Sequence, residues 1–154
     1  MTDNNNQWPD LAGKIEGTQH ILPVRVYFED TDFTGVVYHA TYLRWCERGR
    51  SDFVRLLGIH HNELLNPEGD AEPSVFVVRH IEIDYLRPAK IDEILEVITE
   101  TTEVGGATIT LSQKVVRDGT VLAKLKIKIV LINQSGKPQR IGKMMQEAFS
   151  KVKN

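Results

Sequence analysis

The amino-acid sequence predicts an α+β fold in which a curved antiparallel sheet wraps around one long helix. Apolar residues recur at three- and four-residue steps from Tyr42 to Leu57, a spacing typical of an amphipathic helix. Further along the chain, apolar and polar residues alternate in segments separated by glycine-containing dipeptides, as antiparallel strands joined by tight turns do. A helix with one apolar stripe and a sheet with one apolar face can bury both surfaces by packing together.

The individual elements follow from this pattern in chain order. Residues 23–28 alternate and predict a first strand, and the long helix then ends at Gly58, which suits the left-handed position that stops a helix. Residues 60–65 predict a short second helix. Four strands are predicted over residues 75–85, 94–101, 107–117 and 121–131. In the first of these four, one face is predicted to carry Val75, Val77, Ile81, Ile83 and Tyr85. The dipeptides 105–106 and 118–119 are predicted to supply the positive φ angles of two-residue hairpin turns.

Length and composition narrow the class of protein. The 154 residues fit one domain, predicted over 21–154, after a mobile leader at 1–20 that has no continuous apolar core and so resembles neither a signal peptide nor a membrane anchor. The net charge of -2 gives no field of the size that nucleic-acid binding requires. Aliphatic runs fall far short of the ~20 residues of a membrane span. A single cysteine, Cys46, favours a reducing compartment, so the predicted location is the cytoplasm.

Residues 29–39 contain the candidate catalytic groups of the sequence. Asp32, the glycine turn at Gly35 and the pair Tyr38-His39 stand just ahead of the long helix. A carboxylate can act as nucleophile or general base, and the free N–H groups of a helix start can hold an oxyanion. Tyr38 and Gly35 are the predicted substrate-binding residues. The residues alone leave other roles open: Asp32 could only cap a turn, and Tyr38 could be a core aromatic or a pocket wall. The His39 imidazole could assist proton transfer or form a structural hydrogen bond.

The local sequence resembles a known family. Residues 27–39 read YFEDTDFTGVVYH and are followed by Tyr42, by ERGR at 47–50, by FVVR at 76–79 and by YLRPA at 85–89. This pattern is similar to the 4-hydroxybenzoyl-CoA-thioesterase-like hotdog family, and within it to the bacterial Tol-Pal-associated acyl-CoA thioesterases. The resemblance covers about residues 22 to 145.

The resemblance implies a site and an assembly. It assigns the catalytic carboxylate to Asp32 rather than Asp30, and the oxyanion donor to the helix-start backbone N–H of His39. It implies catalysis without a metal or organic cofactor, and a homodimer paired sheet to sheet, or a homotetramer, with active sites at the dimer interface. Phe33-Thr34 stand before Gly35 where small residues are common among relatives, a difference that bears on the shape of the acyl pocket.

These observations predict an enzyme that hydrolyses an acyl-CoA thioester to a carboxylic acid and coenzyme A, with acyl carrier protein as a second candidate carrier. Two alternatives remain at this stage. One is a hotdog hydratase or dehydratase, and the other is a non-catalytic module that binds acyl thioesters. Three features are assigned no chemistry: Cys46 as a buried thiol, His60-His61 as surface residues and the row Lys124, Lys126 and Lys128 as the wet face of a strand. Coenzyme A phosphates require cations, and several groups are equally weak candidates for binding them: this lysine row, Arg79, Arg87, Lys90 and the Gly105-Gly106 turn.

Overall fold

A computed structural model describes residues 11–154. The elements, in chain order, are β1 (Lys14–Glu16), β2 (Gln19–Arg25), α1 (Thr41–Leu56), α2 (His61–Leu65), β3 (Ser74–Tyr85), β4 (Ile94–Val104), β5 (Thr108–Arg117), β6 (Thr120–Asn133) and α3 (Lys143–Lys151). The strands form one sheet in the order β1-β2-β4-β5-β6-β3, and every neighbouring pair is antiparallel. No helix within residues 11–154 has both the length and the apolar character needed to span a bilayer.

Helix α1 packs its apolar stripe on the sheet, which confirms the predicted α+β hotdog architecture. Trp45, Cys46 and Phe53 lie at 0–2% exposure in the core between helix and strands. Gly49 lies in the same stripe, and a Cβ atom there would stand 2.8 Å from Cγ1 of Val97 on β4. The absence of a side chain at Gly49 therefore lets helix and sheet approach closely.

The predicted boundaries of the helices are confirmed. Gly58 follows the C-cap of α1 with φ of +86°, the left-handed conformation that the sequence predicted for it. Helix α2 then occupies residues within the predicted short helix.

The first strand was predicted too late in the sequence. Strand β2 runs from Gln19 to Arg25 and pairs with β1, so the sheet begins inside the segment interpreted as a mobile leader. Gly17, with φ of +61°, forms the turn between these strands. The first ten residues of the predicted leader lie outside the described part of the chain. A turn centred on a glycine joins two short strands here, and neither strand is long enough to show a clear alternation in sequence.

The inward face of β3 also differs from the prediction. A β-bulge between Val78 and His80 adds a residue and reverses the alternation. Phe76 pairs with the buried Leu131, and Ile83 pairs with the buried Leu125. Because directly paired residues share a face, the inward set is Phe76, Val78, Ile81, Ile83 and Tyr85, whereas Val75 and Val77 lie on the opposite face.

The two glycine turns have different geometries. At the β5–β6 turn, Asp118 and Gly119 have φ of 48° and 81°, as predicted for a two-residue hairpin. Neither Gly105 nor Gly106 has a positive φ, so the prediction for the β4–β5 turn was wrong. A Cβ at Gly105 would lie 2.9 Å from Oγ1 of Thr108, which shows that this turn uses glycine for close approach.

Helix α3 was not predicted from the sequence. Its residue Phe149 is fully buried, with ring contacts to Phe53 of α1 and Phe76 of β3 at centroid distances of 6.2 Å and 6.1 Å. The helix is short. Its inner face consists of Met145, Ala148 and Phe149, and this face can be identified only from the packing of the helix against the core.

A buried polar cluster ties the β1–β2 hairpin to α1. The Asp52 carboxylate accepts a hydrogen bond from the Gly13 N–H at 2.7 Å and from Arg55 at 2.8 Å, and it lies 2.7 Å from Nε2 of His20. His20 is fully buried, and its Nδ1 has no hydrogen-bond partner within residues 11–154. Burial lowers the pKa of His20 despite the nearby Asp52 carboxylate. A proton on Nδ1 would have no acceptor, so the folded protein favours the neutral imidazole.

We expect this histidine to make the fold sensitive to acid. Because the pKa of His20 is lower in the folded than in the unfolded chain, the unfolded chain binds the proton first. The free energy of unfolding should therefore fall as the pH decreases through the ordinary histidine range near ~6.5. His20→Gln keeps a donor toward Asp52 but does not titrate, and denaturant unfolding at several pH values should show a shallower slope in this range.

His60→Gln is the matched control, because His60 is exposed at the start of α2 and forms no ion pair within residues 11–154. Its slope should equal that of the wild type. An unchanged slope in His20→Gln would show that His20 does not cause the acid sensitivity.

Candidate active site

The loop between β2 and α1 is held by main-chain hydrogen bonds. A 3-10 turn covers Phe28–Asp30, and the Tyr38 N–H donates to the Asp30 carbonyl at 2.8 Å. The Val37 N–H donates to the carbonyl of Ala89 at 2.9 Å, which anchors the loop to the segment after β3. The loop therefore has a defined shape although much of its surface is exposed.

Asp32 stands at the start of a tight turn in this loop. Its carbonyl accepts the Gly35 N–H and its own N–H donates to the Val36 carbonyl, both at 3.0 Å. Gly35 has φ of +86° with open space where a Cβ would be, so this turn requires glycine for its backbone conformation. We find no structural indication of close packing at Gly35.

The Asp32 carboxylate is bound by one neighbour. Oδ1 accepts the Thr34 N–H at 2.8 Å and also the Thr34 hydroxyl. The hydrogen bond from the Thr34 hydroxyl is the main cause that holds the pKa of Asp32 below its usual value. The Thr34 N–H and the nearby His39 lower the pKa further. Asp32 is thus an ionised carboxylate near neutral pH, which is the form that a nucleophile or general base needs.

His39 lies just ahead of α1 rather than in its first turn, because the helix begins at Thr41 with Ala40 as its N-cap. The neighbouring Tyr38 and Thr41 N–H groups donate to Asp30 and Tyr38 carbonyls. The His39 N–H has no acceptor within residues 11–154, so it is available to a ligand.

A cavity of about 350 Å³ lies between this loop and the end of β3. Residues of the loop, of α1 and of the segment after β3 line it: Asp32, Val36, Val37, His39, Tyr42, Tyr85, Leu86, Arg87 and Pro88. The structure thus brings the two predicted catalytic residues, Asp32 and His39, to one cavity. An apolar wall beside a carboxylate and an unpaired N–H suits an acyl carbonyl group.

The lining of this cavity includes Tyr85 but neither Tyr38 nor Gly35. Tyr38 does not line the cavity; it is 47% exposed and its ring lies 4.4 Å from the His39 ring. Tyr85 does line it, and its hydroxyl donates to the His39 carbonyl at 2.8 Å. The sequence placed Tyr85 in a strand and in the family motif but gave it no role at the site, because the contact joins residues that are far apart in the chain.

The neighbouring Asp30 has a structural role. Asp30 caps the 3-10 turn by accepting the Tyr27 N–H at 2.8 Å.

Arg87, unlike the lysines of β6, lines the cavity and forms no ion pair within residues 11–154. Lys124, Lys126 and Lys128 pair in register with Asp84, Glu82 and His80 of β3, which supports their interpretation as the wet face of a strand.

Other reactive groups lie away from this cavity. A larger cavity, of about 560 Å³, lies beside Asp52, whose oxygens are already bound by Gly13, His20 and Arg55. Cys46 is fully buried, and burial raises the pKa of its thiol to about 12, so it is no nucleophile. His60 and His61 belong to no group of His, Cys, Asp or Glu side chains within residues 11–154 that could hold a metal.

An antiparallel sheet packed on one long helix, with a carboxylate on the loop before that helix, is the hotdog architecture that the sequence resemblance implied. Residues 34–124 match the family model described as the thioesterase superfamily. This match spans more than half of the chain, and the chain belongs to the thioesterase superfamily.

Individual relatives agree with this assignment. The acyl-CoA thioesterase YbgC of Haemophilus influenzae is 42% identical over 130 residues, which cover 84% of this chain and 88% of that protein. The acyl-CoA thioester hydrolase YbgC of Escherichia coli is 36% identical over 129 residues, covering 82% and 92%. The crystal structure of a probable thioesterase from Bartonella henselae matches with a TM-score of 0.76 and 44% identity, covering 80% of this chain and 99% of that chain. The resemblance inferred from the motif is confirmed.

Proposed function

We propose that the protein hydrolyses acyl-CoA thioesters to a carboxylic acid and free coenzyme A, with Asp32 and the His39 N–H as the catalytic groups. The observation that carries the proposal is the shared cavity, in which an ionised carboxylate lies with an unpaired backbone donor. The names of the relatives in Haemophilus influenzae and Escherichia coli support the same activity.

The chemistry follows from these two groups. The thioester oxygen would accept the His39 N–H, which stabilises the negative charge that develops when the carbonyl carbon is attacked. Asp32 would attack that carbon itself, forming an anhydride that water then hydrolyses, or it would take a proton from the attacking water. In both routes the carbon–sulfur bond breaks and the thiolate of coenzyme A leaves. Arg87 supplies a positive charge at the cavity for an anionic substrate.

Thiol release from a panel of short, long and aromatic acyl-CoA substrates tests this function. We expect cleavage of at least one member at a rate proportional to protein concentration. Intact thioester that binds without thiol release would support the non-catalytic binding module instead, and addition of water to an enoyl-CoA would support the hydratase. Repeating the thiol-release assay with the same acyl groups attached to acyl carrier protein identifies the carrier.

We also propose that the working form is a homodimer, or a homotetramer built from two dimers. Strand β3 is 12 residues long and forms one edge of the sheet, since β6 is the only strand within residues 11–154 that pairs with it. Its inward residues Val78, Ile81 and Tyr85 are 36–46% exposed. A long edge strand with uncovered apolar side chains favours pairing with another strand.

Sedimentation analysis at micromolar concentration should therefore give a mass two or four times the 17.5 kDa of the chain. A monomer at these concentrations would contradict the proposed assembly. The resemblance to Tol-Pal-associated thioesterases extends the proposal to a cytoplasmic enzyme acting beside the envelope machinery.

A further inference from the structure

Thr34 holds one oxygen of the candidate catalytic carboxylate from two sides. Both its backbone N–H and its hydroxyl donate to Oδ1 of Asp32. Neither of these donors, nor any other within residues 11–154, reaches the second oxygen, Oδ2. The two oxygens are thus chemically distinct.

A free aspartate would not keep this distinction. The terminal torsion of an aspartate side chain is broad, so its two oxygens exchange places readily. The backbone of Asp32 is fixed by hydrogen bonds to Val36 and Gly35, so only the side-chain torsions remain free. Two donors on Oδ1 oppose rotation of the terminal torsion and leave Oδ2 as the oxygen without a donor from residues 11–154, on a residue that lines the cavity. An attacking group must be held in a narrow geometry.

We propose that Thr34 is a positioning residue that holds Oδ1 of Asp32 so that Oδ2 is the oxygen acting on the thioester or on water. The inference rests on the proposed function, because it requires Asp32 to be the catalytic carboxylate.

The hydroxyl can be removed without removing the N–H. Thr34→Val keeps the shape of the side chain and the main-chain hydrogen bond, whereas Thr34→Ser keeps the hydroxyl. Thr31→Val is the matched control, because the Thr31 hydroxyl lies in the same loop but donates to the Phe28 carbonyl at 2.8 Å. Asp32→Asn reports whether the carboxylate is needed at all.

Two measurements test the proposal: the pH profile of kcat/KM on a cleaved acyl-CoA, and the titration of the Asp32 carboxyl carbon by NMR. In Thr34→Val we expect the Asp32 pKa and the acidic limb of the profile to move up in pH. We also expect kcat/KM at neutral pH to fall about tenfold, the size of one hydrogen bond's contribution. Thr34→Ser and Thr31→Val should both match the wild type.

Three results would overturn the role of Thr34. The first is a wild-type pH profile and kcat/KM in Thr34→Val. The second is a rise in kcat/KM together with the raised pKa, since this would show that the hydroxyl only weakens the base. The third is a loss in Thr34→Ser equal to that in Thr34→Val. If Asp32→Asn is inactive while one of these holds, the proposed function stands without this inference. If Asp32→Asn is fully active, or the wild type cleaves no thioester, both are overturned.

Discussion

Replacing Asp32 by asparagine is expected to reduce kcat/KM for thioester hydrolysis by about 10²- to 10⁴-fold, the range that a general base contributes. Asparagine retains an Oδ1 that can accept both Thr34 donors, so the turn should keep its shape. What is lost is the negative charge and the basic oxygen. Thiol release from the substrate identified in the panel measures the change, and circular dichroism shows whether the fold is kept.

Asp30→Asn is the matched control for this experiment. Asp30 lies two positions earlier in the same loop, and its carboxylate caps the Tyr27 N–H without lining the cavity. Asparagine can still accept that hydrogen bond, so activity should remain within a few-fold of the wild type, about the scale of one neutral hydrogen bond. Loss of activity in Asp30→Asn with retention in Asp32→Asn would exchange the roles that we assign to the two carboxylates.

The wild-type pH profile gives a further check on Asp32. Hydrogen bonds from Thr34 lower the pKa of Asp32. The carboxylate therefore stays charged when the pH falls to the ordinary pKa of an aspartate and slightly below it. Activity that depends on this charge should therefore persist at mildly acidic pH, until unfolding intervenes. An acidic limb centred near neutral pH would contradict the assignment of this limb to Asp32.

Replacing Phe149 by alanine is expected to lower the free energy of unfolding by about 3–5 kcal/mol. Phe149 is fully buried and is the contact through which α3 meets both Phe53 of α1 and Phe76 of β3. Truncation would leave a cavity among three elements that are held apart by the rest of the sheet. Denaturant unfolding at one fixed protein concentration measures the loss, because association also contributes to apparent stability.

Met144→Ala serves as the control in the same helix. Met144 is 85% exposed, so its truncation should change the free energy of unfolding by no more than about 0.5 kcal/mol. Equal and small effects of Phe149→Ala and Met144→Ala would mean that α3 does not stabilise the fold.

The sequence predicted the parts of this fold that depend on local patterns. Helix α1 was predicted because its apolar residues follow the helical period and Gly58 supplies its left-handed stop. Strand β6 was predicted because Lys124, Lys126 and Lys128 alternate with apolar residues. Asp118-Gly119 was predicted because its turn type requires positive φ at both positions, which few residue pairs supply.

Where the prediction failed, contacts distant in sequence decide the structure. The bulge in β3 reverses the alternation, and only pairing with β6 shows that Phe76 rather than Val77 faces inward. Likewise, α3 is too short to show a period, and its burial depends on Phe53 and Phe76. His20 and Asp52, which are 32 positions apart, form a buried pair that no local pattern indicates.

The candidate site also combines features that local sequence determines with features that tertiary contacts determine. The sequence by itself determined that Asp32 and Gly35 form a turn ahead of a helix, because neighbours in the chain set that geometry. The tertiary structure decided that this turn meets Tyr85 and Arg87 across a cavity, and that the Tyr85 hydroxyl holds the His39 carbonyl. Local backbone preferences act over a few residues, whereas a cavity wall is made by segments that meet only when the sheet has folded against the helix.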